Sequence, residues 1–66
     1  MSLGTNIQFY RKQKNMTQEG LAEFMNVSRQ TVSKWESDTA FPETDKLITL
    51  SEYFGCTLDE LIKGSA

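Results

Sequence analysis

The chain has 66 residues, 38% of them hydrophobic and 24% charged, with a formal net charge of −2, one cysteine and no histidine. That length leaves room for one small domain, residues 1–66, of marginal stability. The composition is that of a folded chain and not of a disordered tail. A lone Cys56 excludes an internal disulfide and a self-contained zinc site, and the lack of histidine removes the commonest general base and metal ligand.

No uncharged apolar run approaches the roughly 20 residues needed to cross a bilayer, and no basic segment leads into an apolar one as in a secretory leader. A membrane segment is therefore not expected, and a reducing cytoplasm is the natural compartment. Asp and Glu are the remaining candidates for catalysis, but no spacing pairs them. Neither an enzyme nor a metal or cofactor site is expected.

Punctuation divides the chain into five helical segments, an all-α pattern with no alternating run to support a strand. The opening Met1-Ser2-Leu3 is given no structural weight. The first helix is predicted over about Thr5 to Lys14, with Ile7, Tyr10 and the stem of Lys14 on one face. Asn15 follows as a residue that tolerates the left-handed turn at helix ends.

The second helix is predicted to begin with Thr17 as N-cap, with Met16 and Leu21 as a hydrophobic staple, and to close at Asn26. The third begins at the Ser28 cap, stapled by Val27 and Val32. The fourth is placed from Pro42, whose missing N–H costs nothing in a first turn, to Gly55. The fifth starts at the Thr57 cap, with Cys56 and Leu61 as staple and Glu60 completing a capping box.

The expected core is Ile7, Met16, Leu21, Ala22, Val27, Val32, Trp35, Leu47, Leu50, Phe54, Leu58 and Leu61. Ala22 is small enough to let the second and third helices cross closely. Cys56 reads as a small hydrophobe. Tyr10, Tyr53 and Phe9 read as core margin or interface.

On the third helix Val32 and Trp35 point inward, so Arg29, Gln30, Thr31, Ser33 and Lys34 face out. Two short helices joined by a tight turn, the second carrying a comb of hydrogen-bonding side chains, have the form of a helix-turn-helix. Arg and Lys suit the acceptor edge of guanine, and Gln suits the donor–acceptor edge of adenine. Gln30 is the foremost base-reading candidate, with Arg29 and Lys34 next. Thr31 and Ser33 suit a thymine methyl or a phosphate. The same residues also fit a plain solvated helix face; the capped helix and Asn turn before them favour recognition.

Gln18, Thr17, Ser28 and Lys12 are candidate phosphate contacts, helped by the free N–H groups at the start of the second helix. Charge is divided along the chain. Residues 1–34 carry five basic and two acidic side chains, and residues 35–66 two basic and seven acidic. A basic front and an acidic back would orient the molecule on a polyanion, although ordinary surface charge fits equally.

Ile7 to Arg11, TQEGLA, NVSRQTVSKWE, the Pro42 helix and FGCTLDEL together resemble the phage repressor and Cro-like helix-turn-helix DNA-binding domains, the Xre family. The resemblance covers nearly the whole chain. It implies a five-helix, lambda-repressor-like fold with the third helix in the major groove, and homodimers on roughly palindromic double-stranded operators. It further implies phosphate contact by Gln18, base contact by Arg29, Gln30 and Lys34, and an ion pair between Arg11 and Glu36 that pins the first helix to the third.

The chain departs from that pattern at Gly20, where a Glu would complete the capping box. It departs also at Asn15 and Asn26, in place of glycines, and at Ser37-Asp38, where Asp38 would repel a phosphate. The function these readings favour is sequence-specific DNA binding in a prokaryotic or phage transcriptional regulator. An antitoxin or protein-interaction adaptor on the same fold is the alternative. Leu58, Leu61 and Ile62 on the fifth helix are the expected dimer contact, and a further domain is allowed C-terminal to it.

Overall fold

The computed structural model describes residues 2–64. They form five helices and no strand: α1 (Leu3–Gln13), α2 (Gln18–Met25), α3 (Arg29–Glu36), α4 (Thr44–Phe54) and α5 (Leu58–Lys63). Their apolar faces meet in one core of Ile7, Leu21, Ala22, Met25, Val32, Trp35, Leu50, Phe54 and Leu61, with Leu3, Met16, Val27, Leu47 and Cys56 at its margin. This is the all-α, five-helix architecture expected from the pattern.

Three helix starts follow the expected chemistry. Thr17, Ser28 and Thr57 each sit in extended backbone and accept the N–H three residues on, at 3.0–3.1 Å. At Thr57 the box is reciprocal, because Glu60 Oε1 accepts the Thr57 N–H at 2.9 Å. Thr17 lacks that second bond, since Gly20 has no side chain to return it. Asn15 and Asn26 take left-handed φ values of 56° and 59°, as their side chains allow.

Four expectations are corrected. Residues 2 and 3 do matter: α1 begins at Leu3, and Ser2 caps it in a reciprocal box with Thr5. That box uses Thr where the familiar pattern has Glu or Gln, so it carried no signal. Helix α4 begins at Thr44 behind a Glu43 N-cap without a side-chain bond, and Pro42 lies buried in the extended approach to it. Helix α1 ends at Gln13, so Lys14 is its C-cap and not its last helical residue, and its ammonium lies 4.9 Å from the Tyr53 ring centroid.

The fourth correction concerns α5. Leu61 is fully buried, so it belongs to the core and not to a dimer surface, whereas Leu58 is 39% exposed and lies outside the core. Asn6 fixes that direction: buried on α1, it donates Nδ2–H to the Leu61 carbonyl at 2.9 Å.

The start of α1 abuts the end of α3. A Cβ at Gly4 would lie 2.5 Å from the carbonyl oxygens of both Trp35 and Glu36, so only glycine fits that approach. Asp38, left-handed at φ 62°, accepts the Gly4 N–H at 2.9 Å. Hydrogen bonds from the Ser2 side chain and the Gly4 N–H hold the Asp38 carboxyl below its usual range. A carboxylate at a helix N-terminus is also favoured by the helix dipole. Asp38 therefore acts as a second, long-range cap on α1.

Candidate nucleic-acid interface

The turn between α2 and α3 is three residues long. Asn26 closes α2 in the left-handed region, and the Val27 N–H returns to the Ala22 carbonyl at 2.9 Å. That bond reverses the chain within one turn, so Ser28 can start α3 at once. Leu21, Ala22 and Met25 on α2 are buried with Val32 and Trp35 on α3. Lys46 reaches from α4 to donate to the Met25 carbonyl at 3.2 Å, placing a cation at the C-terminal end of α2.

With Val32 and Trp35 inside, the opposite side of α3 faces outward. Arg29, Gln30 and Lys34 are exposed, and Thr31 and Ser33 are half-buried. Among the described residues Gln30 has no hydrogen-bond partner, so its amide is free at both ends. The Thr31 hydroxyl pairs with Ser28 Oγ at 2.9 Å, which binds it to the cap rather than the open face. Ser28 and Thr17 remain exposed while capping, and Lys12 is exposed on α1. Trp35, by contrast, offers no stacking surface, since the indole is in the core.

Behind this ridge lies the Arg11–Glu36 pair. Arg11 Nε donates to Glu36 Oε2 at 2.7 Å and Nη2 to Oε1 at 3.1 Å, a two-pronged contact between α1 and α3. Both side chains are almost wholly buried, at 9% and 4% exposure. Arg11 Nη1 also donates to the Met16 carbonyl at 2.7 Å, tying in the loop before α2. The pair that the resemblance implied is present, in a bidentate form that spacing could not reveal.

Gln18 joins the same carboxylate. Its Nε2 donates to Glu36 Oε1 at 3.0 Å, and its Oε1 accepts from Arg29 Nη1 at 3.5 Å. Other contacts lay beyond the sequence pattern: Asn6, Gly4, Lys46 and Asp38 each act across 21 residues or more, where no local signal exists. Met25 differs, because its spacing of four from Leu21 carried a signal that the expected core omitted.

Burial pushes the Cys56 thiol up, against a hydrogen bond from Tyr10, so it stays protonated as a small apolar group. Among the described residues no cluster of potential ligands could hold a metal ion, and no helix is long and apolar enough to cross a membrane. Leu58 and Ile62, 39% and 45% exposed, are the outward apolar side chains of α5.

A helix-turn-helix family model matches residues 7–61, and the chain belongs to that Xre-like helix-turn-helix family. Among its relatives is the HTH-type transcriptional activator BcrR of Enterococcus faecalis, 44% identical over 64 residues, covering 97% of this chain and 31% of that protein. Repressor protein C2 of Salmonella phage P22 is 32% identical over 62 residues, covering 94% of this chain and 29% of that one. The chain thus spans about a third of the length of these relatives. A crystal structure of the P22 c2 repressor in complex with a synthetic operator superposes with a TM-score of 0.89 at 31% identity, covering 98% of both chains.

Proposed function

We propose that this chain is a sequence-specific, double-stranded DNA-binding module of a transcriptional regulator, with α3 lying in the major groove. The observation that carries the reading is the exposed ridge of Arg29, Gln30 and Lys34, rigidly backed by buried Val32 and Trp35. Its likeness to a repressor crystallised on operator DNA supports the same orientation.

In this reading Gln30 pairs with an adenine edge, and Arg29 and Lys34 with guanine edges. Thr31 and Ser33 line the groove wall. Thr17, Ser28 and Lys12 meet phosphates, together with the free N–H groups at the α2 N-terminus. One module of this kind covers only about 600–1,000 Å² of its own surface on DNA. Two copies would supply useful specificity, joined through Leu58 and Ile62, with half-site centres about 34–36 Å apart. The cytoplasm is the compartment that fits such a role.

Selection of bound sites from random duplex DNA tests the proposal. The expected result is enrichment of paired, inverted half-sites, with affinity falling steeply as salt rises. An unenriched pool, with no salt-dependent binding, would contradict it.

A further inference from the structure

A row of aromatic rings crosses α1, α4 and α2, and none of it belongs to α3. Phe9 meets Tyr10 edge-on at 5.4 Å between centroids, and Tyr10 stacks on Phe54 at 5.5 Å. Phe54 meets Tyr53 at 5.8 Å, and Tyr53 meets Phe24 at 4.1 Å. Phe54 is core, but the row surfaces at both ends, with Phe9 47% and Phe24 49% exposed. Successive residues turn by about 100° around a helix, so Phe9 lies roughly 160° from Arg11, the side chain that meets α3. Two half-exposed phenylalanines joined by one row are a patch and not scattered apolar residues.

The chain has nine acidic and seven basic side chains, yet this row is bordered by one sign only. On a helix, residues three, four and seven positions apart share a face. At those positions from Phe9, Tyr10, Phe24 and Tyr53, within their helices and caps, the charged residues are Lys12, Lys14 and Lys46, with no carboxylate among them. Leaving Lys12 to a phosphate, the other two border the rings directly. The Lys14 ammonium stands 4.9 Å from the Tyr53 centroid, and Lys46 reaches the Met25 carbonyl, next to Phe24, at 3.2 Å.

We infer that this face docks an acidic amphipathic helix of a partner protein. Its apolar stripe lies on Phe9, Tyr53 and Phe24, and its carboxylates point to Lys14 and Lys46. A helix supplies such a stripe from side chains spaced three and four apart. The inference goes beyond the DNA-binding reading and stands without it, since no residue of α3 takes part. Single-stranded nucleic acid also pairs with aromatic rings and cations, but it suits this row less. Phe24 and Lys14 already stand against the Tyr53 ring, and the Tyr53 hydroxyl is tied to Met16 Sδ at 3.2 Å. A base would have to displace one of them to stack there.

The test titrates the whole, isotope-labelled chain with a synthetic helix that carries a leucine stripe flanked by glutamates. Its counterpart carries lysines in place of the glutamates. The glutamate helix is expected to shift the resonances of Phe9, Phe24 and Tyr53 and to leave Gln30 unmoved. It should bind about tenfold tighter than the lysine helix. Phe24→Gln and Phe9→Gln should each weaken it by about fivefold or more, and Lys14→Gln by about two- to fivefold. Phe9 projects from the outer side of α1, so Phe9→Gln carries the test if Phe24→Gln lowers the thermal midpoint.

No binding, equal binding of the two helices, or shifts gathered on α3 or on Leu58 and Ile62 would overturn the inference. An oligothymidine that displaces the glutamate helix from the row would overturn it too, as would self-association of the chain through the row.

Discussion

Two arginines meet the same network and are held in opposite ways. Arg11 is buried, bound at three nitrogens, and fixed at both ends of its fork by Glu36 and the Met16 carbonyl. Arg29 is exposed and touches one long contact from Gln18. On the proposed function, the difference separates a strut from a base reader. A buried guanidinium must have its donors matched, or its desolvation is uncompensated. A recognition side chain must keep its donors unmatched until a partner arrives.

The sharpest way to break the comparison is to remove the strut. Glu36→Ala would leave Arg11 buried without its carboxylate, and should destabilise the fold by about 3–5 kcal/mol. Urea unfolding should register that loss, whereas Arg29→Ala should leave the midpoint nearly unchanged. Comparable losses for the two would erase the distinction.

Next in size is Gly4→Ala. A Cβ there meets the backbone carbonyls of Trp35 and Glu36 at 2.5 Å, and backbone cannot step aside as a side chain can. Overpacking of this kind costs roughly 1–3 kcal/mol, to be read from the thermal midpoint. An unchanged midpoint would mean that α1 does not dock against the end of α3 as described.

Smaller, and of opposite sign, is Gly20→Ala. The new Cβ would lie 3.3 Å from Thr17 Oγ1, an exposed side chain able to shift by a few tenths of an ångström. Helix propensity then favours alanine by about 0.5–1 kcal/mol, and calorimetry should show a raised midpoint. A lowered midpoint would mean that the Thr17 cap cannot move without losing its bond.

The smallest effect belongs to Asp38. Its carboxyl is held below the usual range by Ser2 and Gly4, so its contribution to stability is present above the ordinary aspartate pKa of about 3.9. That contribution fades as pH falls through the lowered folded value. The difference in midpoint between wild type and Asp38→Asn should therefore shrink on acidification from neutral pH to below the aspartate range. A difference independent of pH would detach Asp38 from the α1 terminus.

The parts legible in sequence were those with local causes. Thr17, Ser28 and Thr57 announce helix starts because a cap bonds the N–H three residues on. Asn15 and Asn26 announce ends because their side chains tolerate the left-handed turn. The exposure of Arg29, Gln30 and Lys34 follows from the inward phase of Val32 and Trp35.

What escaped depends on distant packing. The bond from Asn6 to the Leu61 carbonyl spans 55 residues, and the need for glycine at position 4 is set by two carbonyls on α3. Pro42 suited a first helical turn, yet it was placed in the approach instead. The inward turn of the Gln18 amide needed Glu36 in place beside it.

The most direct test of the account is a titration of wild type and Gln30→Ala against the selected duplex and a random one. Gln30 is exposed and makes no side-chain hydrogen bond among the described residues, so its loss should leave stability and random-duplex affinity unchanged. Binding to the selected site should weaken by roughly five- to a hundredfold, through one base pair. Equal weakening on both duplexes, or none on either, would contradict a reading face on α3.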